Sequence, residues 1–310
     1  MKGKVIQTTG SWYQVSLENK QTVNARLKGK FKLENFDTTN PIAVGDEVEL
    51  ILLDNNEYVI EKIFPRKNYI IRQSPRHKTQ RHIVASNIDE VLIIASISQP
   101  RTSLGFIDRV IAAAECYHIA VTIIINKKDL WKAKENEIAA TWINTYSNIG
   151  YSIFAINAFN QEDIARVRQI LTDKTCLLTG HSGVGKSTLV NQINPNLNLK
   201  TGQISNKWNK GKHTTTFATS FEIFDNAFII DTPGIKEFAL LHLEPEEVSD
   251  YFVEMRQLKN QCEYSNCMHI NEPNCAVLTA LAKDKIAISR YESYLNIIDN
   301  IEAINYWERK

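Results

Sequence analysis

"KTCLLTGHSGVGKSTLVNQI", Lys174 to Ile193, decides the fold class. The apolar "TCLLT" has strand length, a glycine-rich stretch follows it, and "STLVNQI" opens a helix. Within it, Gly180-His181-Ser182-Gly183-Val184-Gly185-Lys186-Ser187 fits G-x-x-x-x-G-K-[ST] in the strand–loop–helix context that a phosphate-binding loop requires. The glycines let the backbone curl until its N–H groups point at phosphate oxygens, helped by the positive end of the following helix. Lys186 is expected to reach the β- and γ-phosphates and Ser187 to ligate Mg²⁺, with Thr188 closing the loop.

Working outward, "DEVLIIAS", "AVTIIIN", "YSIFAIN" and "NAFIIDTPG" are further near-continuous apolar runs, the pattern of strands buried on both faces of a parallel sheet. They alternate with helical stretches such as "GFIDRVIAAAECYH" and "KENEIAATWINTYSN". A doubly wound α/β domain is expected over residues 83–243. Asp231, at the end of "AFIID", suits the role of holding Mg²⁺ through water, and the Gly234 N–H is placed to sense a γ-phosphate. Between these motifs lies "KWNKGKHTTTFATS", where Thr215 could ligate Mg²⁺ only in the triphosphate state. That segment carries Lys207, Trp208, Lys210 and Lys212, and there is no acidic residue between Asn196 and Phe221. It reads either as an RNA-contacting element or as a loop made cationic by nearby nucleotide.

"VTIIINKKDL", Val121 to Leu130, names the base. Asn126-Lys127-Lys128-Asp129 stands at the carboxyl end of a buried strand, where open α/β sheets bind ligands. A carboxylate at Asp129 accepts the guanine N1–H and exocyclic N2–H together, a pairing adenine cannot offer. Asn126 would contact the N7 side and tie the turn to the phosphate loop, while Lys127 lays its stem along the base. Asn157-Ala158, in "IFAINAFN", occupies the place of a second base-contacting loop that works through backbone N–H groups. GTP and GDP are the expected ligands.

Residues 1–72 alternate apolar and polar residues between turns, as in "GKVIQTTGSWYQVSLENKQTVNARLKG". A small antiparallel barrel follows, OB-like by preference, with an SH3-like barrel or another β module left open by periodicity. Residues 73–82 lie in the basic stretch "IRQSPRHKTQRH", expected as an exposed linker. The net charge of +1 is uneven: residues 1–82 carry +5 and residues 241–310 carry −5, a mild sign of a nucleic-acid partner at the basic end. No apolar run approaches the ~20 residues needed to cross a bilayer, and "MKGKVIQTTG" has no secretory h-region, so a cytoplasmic protein without membrane contact is expected. Of the cysteines, Cys116 and Cys176 sit in apolar segments as small core residues. Cys262, Cys267 and Cys275 crowd together with His269, which in a cytosolic chain points to metal rather than to disulfides.

The motifs run base-reading turn, second base loop, phosphate loop, switch threonines, "DTPG", whereas the usual GTPase order starts at the phosphate loop. That is a circular permutation. Together with the barrel, "GKHTTT" and the C-x4-C-x-H-x5-C cluster with "EPNCAV" and "SRYESYLNII", it resembles the RsgA/YjeQ family of ribosome-small-subunit-dependent GTPases over essentially the whole chain. The resemblance implies an N-terminal OB-like β-barrel, a central circularly permuted P-loop GTPase domain and a C-terminal helical zinc-binding domain over 244–310. It implies GTP hydrolysis stimulated by the small ribosomal subunit and its rRNA during late subunit maturation. A monomer is expected. Cys262, Cys267, His269 and Cys275 make a Cys₃His set, which fits a closed structural Zn²⁺ site.

Two positions depart from the family pattern: Asn157 where serine is common, and Lys212 where arginine often precedes "HTTT". Ile235 also stands where many GTPases place a water-orienting glutamine. Unaided hydrolysis should therefore be slow, and His213 is the local candidate for that task. An RNA-binding scaffold whose nucleotide site only gates attachment is the alternative, and a small-molecule kinase is opposed by "NKKD".

Overall fold

The computed structural model describes residues 1–28, 41–73, 81–199, 218–224, 226–231 and 243–308. His213, Thr215, Gly234 and Ile235 lie outside the described residues.

Five strands, β1 (Lys2–Thr8), β2 (Tyr13–Leu17), β3 (Thr22–Leu27), β4 (Glu47–Leu52) and β5 (Tyr58–Ile63), build the N-terminal unit. A strand turns alternate side chains to one face. In β2 that face is Tyr13, Val15 and Leu17, and in β3 it is Val23 and Ala25; with Val5, Val48, Leu50 and Ile60 they fill one core. β1 pairs with both β2 and β4, and β3 with β5 in parallel, so the strands close in the order 1-2-3-5-4. Pairing decides what periodicity left open: the barrel is OB-like.

Of the segment expected as a linker, residues 73, 81 and 82 are described, and they belong to strands. β6 (Tyr69–Gln73) and β7 (Arg81–Ser86) pair as an antiparallel ribbon, and only residues 74–80 between them lie outside the described residues. Buried Ile71 and Ile83, packed with Ala43, anchor this ribbon. The charged residues of the stretch hid that alternation.

The central domain runs β8 (Glu90–Ala95), α1 (Leu104–Cys116), β9 (Ala120–Ile125), α2 (Ala133–Asn148), β10 (Ser152–Ala155), α3 (Gln161–Leu171), β11 (Thr175–Thr179), α4 (Lys186–Ile193), β12 (Thr219–Phe224) and β13 (Ala227–Asp231). The sheet order is β10-β9-β8-β11-β13-β12, parallel except for β12. All of β8 is buried: Val91, Ile93 and Ala95 share a core with α1 and α2, while Leu92 and Ile94 share one with α3 and α4. That is why the sequence shows an unbroken apolar run there. If the strands are counted from β11, through β13 and on to β8, β9 and β10, the spatial order becomes 6-5-4-1-3-2. The sheet of a GTPase is intact and only the chain is cut elsewhere.

Barrel and sheet are continuous. Gln7 of β1 pairs with Thr219 of β12, and a bulge between Val5 and Gln7 lets one strand serve both. The Lys4 ammonium donates to Thr175 Oγ1 (2.5 Å), and Lys67 pairs with Asp89 across the same junction. At the other end a 3₁₀ stretch (Pro245–Tyr251) leads into α5 (Val253–Arg256), α6 (Ala276–Leu281) and α7 (Ile288–Glu308). Val248, Phe252, Met255, Val277, Tyr294 and Ile297 form their core, which includes Ala112 of α1. No helix among the described residues is long and apolar enough to cross a membrane.

Candidate nucleotide site and metal centre

Helix α1, leaving β8, packs on one face of the sheet, and α4, leaving the adjacent β11, packs on the other. Connections that diverge from neighbouring strands open a crevice at their carboxyl ends, the place where such sheets bind ligands. The loop 180–185 lies at that crevice, with Ser182 and Gly183 exposed. Its conformation requires glycine. Gly180 has φ +146° and a Cβ there would stand 2.2 Å from the Ile94 carbonyl oxygen; Gly185 has φ +99° and its Cβ would stand 2.3 Å from Asn126 Nδ2.

That second approach joins the two motifs. Asn126, 2% exposed, donates from Nδ2 to the Val184 carbonyl at 2.9 Å, so the base-reading turn is bolted to the phosphate loop. Lys127 takes a left-handed φ of 68°, and its ammonium donates to the Gln99 carbonyl at 2.5 Å, stretching the stem across the crevice. Asp129 is exposed in the short turn Lys128–Leu130. The Lys128 N–H donates to the Ile156 carbonyl at 3.0 Å and thereby holds the loop after β10 beside this turn.

In that loop Asn157 is held by two local bonds. Its N–H donates to Asp163 Oδ2 at 2.8 Å, and its side-chain oxygen accepts the Phe159 N–H at 2.9 Å. Asn157 and Ala158 are thereby held in one fixed turn beside the turn 126–129. The Lys186 ammonium donates to the carbonyls of Gly180 (2.6 Å) and His181 (2.9 Å), two of its three N–H bonds. Burial pushes its pKa down, and the Asp231 carboxylate works the other way. Ser187, in the first turn of α4, and Asp231, opposite Leu178 on β13, are both buried at this end of the sheet. His181 turns from the loop onto α1, its ring 4.2 Å from that of Phe106.

The second cluster is also assembled. The ligand atoms of Cys262, Cys267, His269 and Cys275 lie within 4.8 Å of one another. Cys262 Sγ is 3.9 Å from Cys275 Sγ and 3.6 Å from His269 Nδ1, and His269 Nδ1 is 3.3 Å from Cys275 Sγ. Tetrahedral zinc with bonds of ~2.0–2.3 Å needs ligand–ligand edges of about 3.5–3.8 Å; the three edges among Cys262, His269 and Cys275 bracket that range, and the four-residue donor set could hold one metal ion. The turn is braced from outside. Glu272 accepts the N–H groups of Met268 (2.7 Å), Ile270 (2.8 Å) and Asn271 (3.1 Å). Burial would raise its pKa, but these bonds hold it below the usual carboxylate value. From α7, Tyr291 donates to the His269 carbonyl (2.7 Å) and Tyr294 to that of Met268 (2.5 Å). Among the other thiols, burial pushes Cys176 up to about 12 and raises Cys116, which suits core residues rather than nucleophiles.

Residues 63–241 match the RsgA GTPase family and residues 2–60 match the RsgA N-terminal domain. The chain belongs to the RsgA family. It is 44% identical to the small ribosomal subunit biogenesis GTPase RsgA 2 of Bacteroides thetaiotaomicron, with 99% of each chain covered. It is 45% identical to the RsgA of Phocaeicola vulgatus at the same coverage. Among solved structures it resembles YjeQ from Thermotoga maritima (29% identity, TM-score 0.78, covering 96% of this chain and 97% of that one). It also resembles YloQ, described as a circularly permuted GTPase (25% identity, TM-score 0.75, covering 100% and 96%).

Sequence reasoning missed the residues that hold the RsgA-type motifs in place. Asp163 anchors the second base loop, and Glu272 and the tyrosines of α7 brace the cysteine turn. A signal was present for part of this: "EPNCAV" contains Asn274 and Cys275 beside Glu272, and "SRYESYLNII" contains Tyr291 and Tyr294.

Proposed function

We propose that this chain binds the small ribosomal subunit and its rRNA and hydrolyses GTP to GDP late in that particle's maturation, slowly alone and faster on the subunit. The observation that carries the reading is the Asn126–Val184 bond, which makes one unit of a guanine-reading turn and a phosphate loop in a sheet of permuted order. The full-length relatives named small ribosomal subunit biogenesis GTPases supply the biological setting.

In this reading Asp129 accepts the two guanine N–H groups and the Ala158 N–H donates to the base. The second Asn126 Nδ2 hydrogen faces N7, and the Lys127 stem covers one face of the ring. The N–H groups of residues 182–188 and the third Lys186 N–H hold the phosphates in line for attack. Bound with the nucleotide, Mg²⁺ would supply charge neutralisation for phosphoryl transfer. Ser187 and Asp231, with Thr215 from the switch segment, are the residues to hold it. The Gly234 N–H senses the γ-phosphate, and His213 orients water when the subunit is bound. Cys262, Cys267, His269 and Cys275 hold one structural Zn²⁺. Functionally the chain divides into a barrel within 1–72, a junction over 73–82, a GTPase domain over 83–243 and a zinc-binding domain over 244–310, working as a cytoplasmic monomer.

GTP turnover measured alone, with isolated small subunits and with complete ribosomes tests the proposal. Clear stimulation by small subunits is expected; one slow rate in all three mixtures overturns it.

A further inference from the structure

One segment touches both nucleotide motifs and belongs to neither: the loop 96–102, which joins β8 to α1. A reciprocal pair closes its base. The Ser96 N–H donates to Thr102 Oγ1 at 3.0 Å, and the Thr102 N–H donates to the Ser96 carbonyl at 2.9 Å. Both residues are fully buried, and the Ser96 hydroxyl donates to the Ser98 carbonyl at 2.6 Å.

The tip of the loop meets both motifs. Gln99 takes a left-handed φ of 54°, which a residue other than glycine keeps only where its surroundings impose it. Its carbonyl accepts the Lys127 ammonium at 2.5 Å. Pro100 lies against the phosphate loop, since a Cβ on Gly183 would stand 3.4 Å from Pro100 Cδ. In the first turn of α1, just beyond, the Phe106 ring lies 4.2 Å from that of His181, whose carbonyl accepts the Lys186 ammonium at 2.9 Å. Each motif lysine therefore rests, directly or through one residue, on this stretch of chain.

We propose that Thr102 and Phe106 are positioning residues of the nucleotide site. Thr102 closes the loop whose tip holds Lys127 and Gly183, and Phe106 seats His181 behind Lys186. The inference rests on the reading of residues 126–129 and 180–187 as the nucleotide motifs. Both residues act through others rather than on the ligand. They set the fraction of molecules whose site is already assembled, and apparent affinity falls in proportion to that fraction.

Titration of the full-length chain with GDP, well below each variant's unfolding transition, tests this without interference from lost stability. Thr102→Val keeps the side-chain shape but leaves the buried Ser96 N–H without its acceptor. The closed loop loses population, and GDP should bind about five- to tenfold more weakly. Thr102→Ser keeps the acceptor and should bind within about twofold of the parent. A Thr102→Val affinity within about twofold of the parent overturns the proposal. So does an equal loss in Thr102→Ser, which would assign the effect to packing of the methyl group. Should Thr102→Val fail to fold, Phe106→Leu decides by the same criterion, because it keeps apolar packing and removes the ring from His181. If the parent itself binds no GDP, the nucleotide reading fails, a result distinguishable from equal affinities of parent and variant.

Discussion

At the residue scale the glycines of the phosphate loop show how a motif letter becomes a steric demand. The pattern G-x-x-x-x-G-K-[ST] asks for glycine at 185, and the reason is Asn126, whose amide lies where a Cβ would be. Gly185→Ala should therefore cost on the order of 1–3 kcal/mol through its left-handed backbone and push Asn126 off Val184. Thermal unfolding and GDP titration will show both effects, and unchanged GDP affinity would mean that the bolt is dispensable. Asp129 is the complementary case, since its exposure makes substitution cheap for the fold. Asp129→Asn replaces one acceptor oxygen by a donor, so it should lose GDP by roughly tenfold or more and gain xanthosine diphosphate, whose 2-oxo group accepts. Calorimetric titration with both nucleotides checks this.

At the element scale the cysteine turn has little regular structure between the 3₁₀ stretches near Lys259 and the start of α6. Four ligand atoms, the Glu272 carboxylate and two α7 tyrosines hold it. His269 takes a left-handed φ of 58°, a conformation its surroundings impose. We expect about one zinc per chain by elemental analysis, and its removal by chelator to loosen this turn while the β8–β13 sheet persists. Hydrogen exchange resolved by segment gives the answer, and protection lost equally in the sheet would contradict it. Tyr291→Phe removes one bond to the His269 carbonyl and should cost ~1 kcal/mol, read from denaturant unfolding.

At the scale of the whole molecule the C-terminal unit is locked to the GTPase domain by a buried charge cluster. Arg290 on α7, 1% exposed, donates to Asp108 Oδ1 on α1 (2.8 Å) and to both carboxylate oxygens of Glu254 on α5 (2.7 and 3.1 Å). Tyr146 (2.7 Å) and Ser293 (2.5 Å) complete the Asp108 carboxylate. Arg290→Met strands two buried carboxylates and should destabilise by about 3–5 kcal/mol, whereas replacing all three charges with apolar residues of similar volume should cost far less. Urea midpoints of the two variants decide it, and equal losses would show that packing, not charge, sets the cost. The other junction, β1 shared between barrel and sheet, is carried by backbone pairing and needs no such cluster.

How much of this was legible follows from the range over which each feature is encoded. The phosphate loop, the base-reading turn and the cysteine cluster are local patterns, because each places its ligand groups within a short stretch, and the permuted order is the order of such patterns along the chain. Buried strands such as β8 are equally plain, since burial on both faces leaves an unbroken apolar run. Other features needed the folded chain: an OB-like rather than another small barrel, the pairing of β6 with β7 on either side of residues 74–80, and the partners Asp163, Glu272 and Arg290. The barrel closure, the ribbon and the Arg290 cluster depend on pairing between distant segments, Asp108 and Arg290 being 182 residues apart, whereas Asp163 and Glu272 accept backbone N–H groups of nearby residues through turn geometry that no residue pattern spells out. A sequence states which groups want partners, and only tertiary packing, where exclusion of water makes an unpaired charge costly, chooses which partner each one meets.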